Sequence, residues 1–231
     1  MGEFAVILPA AGNSSRYGSR NKLTEDLCGR PVVLRSIDAF AARAQRDVKL
    51  ILVPADYRMR HWLSPRLHDY DRELVQLCPG GDCRAASVLS GLQHVPEDIE
   101  WVAVHDAARP LVSAAVIDRT FAAALEHGAA AAAMPVTLTI RQATGPLPAR
   151  AGCTIPRQRL CAMQTPQAMR RIDLLEAFSA CPLPLEQVTD DLQLLELANR
   201  PVWLVAGDDA NIKITTPQDM LLARAILAAR P

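Results

Sequence analysis

Neither sign of charge is in excess: Lys plus Arg and Asp plus Glu each number 25 among the 231 residues. That balance excludes the broad basic face of a nucleic-acid binder, which needs a surplus of cations. The opening apolar run, Phe4 to Leu8, is too short to span a bilayer. No basic segment with a long apolar stretch behind it precedes the run. The expectation is a cytoplasmic protein without membrane or nucleic-acid partners. The six cysteines, at positions 28, 78, 83, 153, 161 and 181, form no C-x-x-C pair and have no accompanying histidine pattern. They read as free thiols, mostly buried, and not as disulfides or a zinc site. The G-x-G-x-x-G fingerprint and the G-K-[ST] close of a Walker loop are also missing. The first absence excludes a dinucleotide-dependent dehydrogenase.

The chain does offer a loop suited to anions. Phe4 to Leu8 reads as the central strand of a parallel sheet, and it runs directly into the segment 9–22. Loops leaving the carboxyl ends of such strands bind ligands in open α/β sheets. Pro9, Ala10, Ala11 and Gly12 carry little side chain, so the backbone N–H groups of Ala10, Ala11 and Gly12 can approach a phosphate. Arg16, Arg20 and Lys22 bring cations to the same place. A solvated basic turn is the plainer alternative.

Further along, strands and helices alternate. Helical spacing covers Val32 to Ala42, a strand covers Lys49 to Val53 with Pro54 as its stop, and a weaker helix covers Asp56 to Leu67. His61 in that helix and His68 directly after it read as surface or packing residues. Leu74 to Cys78 is a third strand, followed by the second glycine-bearing loop and a helix through Leu92. In that loop, Gly81, Asp82 and Ser87 suit either a base or ribose contact or a turn with a helix cap. Trp101 to His105 is a fourth strand, with Asp106 and Arg109 just beyond it. There Asp106 suits Mg²⁺ and Arg109 a substrate phosphate, unless the two only pair with each other.

An alanine-rich helix from Ser113 to His127 stops at Gly128, and Ala129 to Val136 reads as a strand. The proline- and glycine-rich segment beyond it reads as a hairpin leaving the domain, a protruding arm at about 137–160. A limb that cannot bury its own face calls for a second subunit. Cys161 to Gln167 returns to the domain, ahead of a helix through Phe178. Thr189 reads as a helix cap with Asp190 and Asp191 in the first turn. Val202 to Val205 is a strand, and Asn211 to Thr215 is a last extended piece in which Lys213 has no charge partner of its own. Thr216, Pro217 and Asp219 open the final helix. The whole is read as one α/β domain, a Rossmann-like, mostly parallel twisted sheet flanked by helices.

No Ser-His-Asp or Cys-His arrangement is suggested at the strand ends. His105, next to Asp106, points away from it along a strand. The groups suit an in-line phosphoryl or nucleotidyl transfer, in which the protein positions two anions and neutralises developing charge. An ionised substrate phosphate could attack without a general base.

Six ordered blocks resemble those of the 2-C-methyl-D-erythritol 4-phosphate cytidylyltransferase family. They are Pro9 to Gly12 with Arg16 and Lys22, Gly80 to Val88, His105 to Pro110, Gln164 to Gln167, Thr189 to Asp191, and Asn211 to Thr215. The resemblance implies attack by a methylerythritol-phosphate oxygen on the α-phosphorus of CTP, with release of pyrophosphate. It implies that Arg16 and Lys22 hold the triphosphate and stabilise the pentavalent centre. Pro9, Ala10, Ala11, Gly12, Gly81, Asp82 and Ser87 fall on the nucleotide side. Asp106 would serve Mg²⁺ and the polyol, with Lys213 also in the catalytic set. Arg109, Thr165, Thr189 and Lys213 would line the acceptor side. Thr139 and Arg157 would come from the partner's arm in a homodimer. The chain departs from the family pattern at Asn21 to Thr24, at Cys83 and at Ala210. These departures bear on the acceptor, because ribitol-5-phosphate cytidylyltransferase is similar in fold and in several blocks. A weak homologue that binds CTP without turning it over is a further alternative.

Overall fold

The apolar run at the start is buried on both sides. Phe4, Val6 and Leu8 pack into one hydrophobic layer and Ala5 and Ile7 into the other. Alternation of side chains along a strand makes that division, and a strand covered on both faces needs apolar residues at every position. The computed structural model describes residues 2–12, 17 and 21–230.

In chain order, β1 (Phe4–Ile7) is followed by a small hairpin of β2 (Asp26–Leu27) and β3 (Arg30–Pro31). Next come α1 (Val32–Ala41), β4 (Val48–Ala55), α2 (Tyr57–Leu63), β5 (Val75–Pro79), α3 (Arg84–Gln93) and β6 (Trp101–Val104). Then follow α4 (Ala114–His127), β7 (Ala129–Pro135), β8 (Ile140–Ala143), β9 (Ala151–Ile155) and β10 (Cys161–Arg170). The chain closes with α5 (Arg171–Ala180), α6 (Asp191–Leu197), β11 (Trp203–Ala206) and α7 (Pro217–Ala228). The main sheet has the order β11-β7-β10-β6-β1-β4-β5. Every neighbouring pair is parallel except the two made by β10, which runs against both β6 and β7. The sheet is therefore mostly parallel, as expected, with one reversed strand inside it.

Five readings need correction. Of the six cysteines, expected to be mostly buried free thiols, only Cys78 is buried, whereas Cys28, Cys153 and Cys161 are exposed and Cys83 and Cys181 half-buried. Pro54 does not stop β4, which continues through Ala55. The Pro54 carbonyl accepts from Ala10 N–H, so the ring nitrogen faces the side where β1 has already ended. The helix read over Asp56 to Leu67 ends at Leu63, with Asp56 as its cap and a 3₁₀ turn beyond. The cap of α6 is Asp190, not Thr189: the Asp190 carboxylate accepts from Gln193 N–H. Asn211 to Thr215 joins no strand, although Ile214 N–H donates to the Ala108 carbonyl. Other local signals hold. Gly128 ends α4 at φ 91°, where a side chain would be strained, and Thr216 with Asp219 forms a capping box on α7.

β8 and β9 form an antiparallel hairpin of their own, separate from the main sheet. This is the segment expected to leave the domain. No helix among the described residues is long and apolar enough to cross a membrane.

Candidate active site

The carboxyl ends of β1, β5 and β6 deliver three loops to one edge of the sheet. The first two loops are in close contact. A Cβ added at Gly80 would lie 2.4 Å from Ala11 Cβ, and one added at Gly81 would lie 2.5 Å from Ala86 Cβ. Gly80 thus lets the two loops touch and Gly81 lets the second loop fold back on the start of its own helix, neither through an unusual dihedral angle. The Ser87 hydroxyl then braces the second loop. It accepts from Gly81 N–H at 3.1 Å and donates to the Cys83 carbonyl at 2.9 Å. Cys83 caps α3, its sulfur accepting from Ala86 N–H.

The first loop departs from expectation in one respect. Ala10 is buried and its N–H donates to the Pro54 carbonyl at 2.8 Å, so it is spent on the fold and not offered to an anion. Pro9, Ala11, Gly12 and Lys22 do line a cavity of about 270 Å³, together with Asp82, Cys83, Arg84 and Ser87. Arg16 and Arg20 lie outside the described residues.

A second cavity, of about 300 Å³, is lined by Arg109, Met163, Gln164, Thr165, Gln167, Thr189 and Asp190. Arg84, Asp106 and Lys213 border both cavities. These three side chains form the wall between the two spaces, and Asp106 is ion-paired to both of its cations. Asp106 Oδ1 lies 3.0 Å from Arg84 Nε, and its Oδ2 lies 2.8 Å from Lys213 Nζ and 3.6 Å from Arg109 Nε. Burial alone would raise the Asp106 carboxyl. The charges of Arg84, Lys213 and Arg109 outweigh it and hold the group far below the usual carboxylate range. Asp106 is therefore an anion at any working pH. Lys213, unpaired within its own segment, thus finds its partner 107 positions earlier in the chain.

Arg84 also reaches away from the cavities. Its Nη2 donates to Asp191 Oδ2 at 2.8 Å, and the Asp191 side chain is wholly buried. Asp191 was expected only to favour a helix start, yet it anchors an arginine of the dividing wall. Arg109 is similarly committed. Its Nη1 donates to the Asn211 carbonyl at 2.8 Å and its Nη2 to the Met163 carbonyl at 3.3 Å. Burial lowers its pKa against the opposing pull of Asp106. It lines the second cavity but braces three segments at once.

The reversed strand supplies the rest of that cavity. The pairing of β10 with β7 shifts register between Met163 and Gln167, which releases Gln164, Thr165 and Pro166 from the regular ladder. Each polar side chain in this interruption is then used. Gln164 holds the loop after β11, donating to the Asp208 carbonyl and accepting from Asp208 N–H and Asn211 Nδ2. Gln167 donates to Asp190 and accepts from Asp191 N–H, which fixes the start of α6. Thr165 Oγ1 meets Asp106 N–H at 3.1 Å and His105 Nδ1 at 3.0 Å. Thr189 is exposed at the rim, its N–H and hydroxyl both directed to Gln193.

Thr139 and Arg157 line neither cavity. Both are exposed on the arm, where Arg157 donates to the Thr137 carbonyl.

This geometry can be set beside known proteins. A sequence model of 2-C-methyl-D-erythritol 4-phosphate cytidylyltransferase matches residues 4–229. The chain belongs to that family. A curated relative of this name from Gloeobacter violaceus is 40% identical over 96% of this chain and 95% of its own length. One from Bacillus pumilus is 38% identical over 98% of this chain and 97% of its own. The chain also matches, at 38% identity, a bifunctional enzyme from Desulfotalea psychrophila, of which it spans only 56%. Among solved structures, the cytidylyltransferase of this name from Thermus thermophilus superposes with a TM-score of 0.78 at 31% identity, covering 99% of this chain and 100% of that one.

Within this cytidylyltransferase fold, sequence reading missed the residues that act through others. Arg84, Asp191, His105, Gln164 and Gln167 all sit inside blocks already noted, but each side chain has a partner between 23 and 107 positions away. Arg84 alone carried a usable signal, a cation at the first position of a helix that begins at a glycine loop.

The donor set was also expected to hold Mg²⁺ at Asp106, and it does not fit. Both carboxylate oxygens already face cations, and a dication would be added to three positive charges. No group of three or more metal-ligating side chains occurs among the described residues.

Proposed function

We propose that this chain transfers CMP from CTP to 2-C-methyl-D-erythritol 4-phosphate, releasing pyrophosphate. One observation carries the reading: two adjoining cavities share a single wall of Arg84, Asp106 and Lys213. The nucleotide takes the side built by the small-residue loops, and the phosphorylated polyol takes the side built by β10 and α6. Attack at the α-phosphorus then falls at the common wall. The acceptor's phosphate is ionised at neutral pH, so no general base is needed. Lys213 and Lys22 border the first cavity from two directions. There they answer the charge that grows on the transferring group and on the departing pyrophosphate. Asp106 keeps Lys213 and Arg84 in place before the substrates arrive.

Mg²⁺ in this scheme accompanies CTP as part of the substrate, bound through the phosphate oxygens, and Asp106 serves the cations instead. The hairpin of β8 and β9 is a dimerisation arm, and through it Thr139 and Arg157 serve the acceptor side of a neighbouring subunit. The reaction draws on the CTP pool of the cytoplasm.

Pyrophosphate release tests the assignment, with CTP and either methylerythritol phosphate or ribitol 5-phosphate as acceptor. Turnover should be much faster with methylerythritol phosphate. Equal or faster turnover with ribitol 5-phosphate would overturn the choice of acceptor, and no release with either would overturn the activity.

A further inference from the structure

His105 is fully buried behind the dividing wall, edge-on to Phe40 with ring centroids 5.0 Å apart. Its polar contacts fix its protonation state. Nε2 lies 3.0 Å from the Arg109 carbonyl oxygen, which can only accept. The proton is therefore on Nε2, and Nδ1 presents a lone pair. Thr165 Oγ1, 3.0 Å from Nδ1, must donate its hydrogen there. The opposite tautomer would set two lone pairs against each other at the carbonyl. A doubly protonated ring is opposed by burial, which lowers the pKa to about 4.

The Thr165 hydroxyl has one hydrogen and two lone pairs. The hydrogen goes to His105, and one lone pair receives Asp106 N–H at 3.1 Å. A single lone pair remains, on a residue that lines the second cavity. We propose that His105 is a positioning residue of the acceptor side, locking the Thr165 hydroxyl so that it receives a hydroxyl of the polyol and does not donate to its phosphate. The proposal rests on the acceptor reading above. An apolar side chain could fill the space beside Phe40 but could not take the Thr165 hydrogen.

Two near-isosteres separate the roles of the two nitrogens. His105→Asn keeps an acceptor near the Nδ1 position, whereas His105→Gln keeps a donor near Nε2. With CTP saturating, His105→Gln should raise the acceptor KM roughly tenfold above that of His105→Asn, the loss expected for one hydrogen bond. The KM for CTP should stay within about twofold in both. In a Thr165→Val background the two variants should become indistinguishable. Free 2-C-methylerythritol, which lacks the phosphate, should lose potency as a competitive inhibitor of His105→Gln by the same factor.

Equal acceptor KM for the two variants would overturn the proposal, as would a difference that persists with Thr165→Val. An undiminished potency of the phosphate-free polyol would overturn the hydroxyl assignment. If the variants do not fold, nitrogen-15 NMR of the histidines in the wild-type chain decides. A proton on Nε2 of His105 supports the lock, and one on Nδ1 ends it. That measurement needs no substrate, so it stands even if the wild type turns over neither polyol. If ribitol 5-phosphate is the true acceptor, the same kinetics are run with it.

Discussion

Arg84 and Asp191 are joined by a 2.8 Å ion pair whose acidic partner has no exposure to solvent. The same guanidinium holds Asp106 at 3.0 Å from its other side. Its remaining nitrogen, Nη1, is buried without a hydrogen-bond partner among the described residues. Asp191→Ala would leave a buried cation short of one anchor. Such a loss costs about 3–5 kcal/mol of stability. Urea unfolding should show that loss, and Arg84→Met combined with Asp191→Leu should recover much of it without recovering activity.

Lys22→Ala should lower turnover far more than it weakens CTP binding. Lys22 borders the first cavity at the end of the small-residue loop, where the proposed reaction develops charge on the transferring phosphoryl group. Removing one such donor costs roughly 3 kcal/mol, on the order of a hundredfold in rate. Steady-state kinetics decide the matter. A turnover number within about threefold of wild type would remove Lys22 from that role.

Acid should destabilise the protein in a window set by His105. Its folded pKa is about 4 against 6.5 in the unfolded chain. Between those values the unfolded chain holds a proton that the folded one does not, so stability falls as pH drops from 6.5 towards about 4. The full span corresponds to about 3 kcal/mol. Asp106 adds a loss of the same sign at lower pH, because its depressed pKa contributes stability that disappears as the carboxylate is protonated. Urea unfolding at several pH values should show a shallower dependence across this window in His105→Asn than in wild type. Parallel curves would exclude His105 as the source.

The arm assignment makes a prediction across subunits. Arg157→Ala should raise the acceptor KM by about 10- to 150-fold, the equivalent of 1.5–3 kcal/mol for a charge-assisted hydrogen bond. The KM for CTP should hardly change. Asp106→Asn should be nearly inactive, with its Mg²⁺ titration midpoint unaltered if Asp106 serves cations of the protein and not the metal. Mixing the two mutants allows heterodimers with one site carrying both lesions and the other carrying neither. Assayed at an acceptor concentration well below the raised KM, where both parents are nearly inactive, random exchange should restore up to roughly a quarter of wild-type activity. Verified heterodimers without recovery would contradict a shared site.

Local chemistry was legible in the sequence, whereas pairing across the chain was not. The strand at Phe4, the helix beginning at Ser113, the glycine stop at Gly128 and the box at Thr216 depend on neighbours within a few residues, and each formed where its residues predict. Lys213 showed only that its own segment lacked a partner, and the fold brought it to Asp106. Thr189 and Asp190 are both good caps, and nothing local chooses between them. The choice falls to Gln167, which grips Asp190 from β10. Ala10 looked free to bind an anion because the strand that claims its N–H lies more than forty positions on.

β10 enters the sheet where its neighbours leave it, and this affects how the acceptor preference can change. Its register break carries Gln164 and Thr165 between two flanking strands, with side chains tied to the loops after β6 and β11. Lengthening or grafting a loop, the ordinary route to a new substrate in an α/β fold, would leave this part of the acceptor side unchanged. Altering it requires coordinated replacement of several hydrogen-bonded partners. On the proposed assignment of the acceptor side, variation in acceptor choice is thus steered toward the exposed arm and the rim at Thr189, where a single substitution disturbs little else.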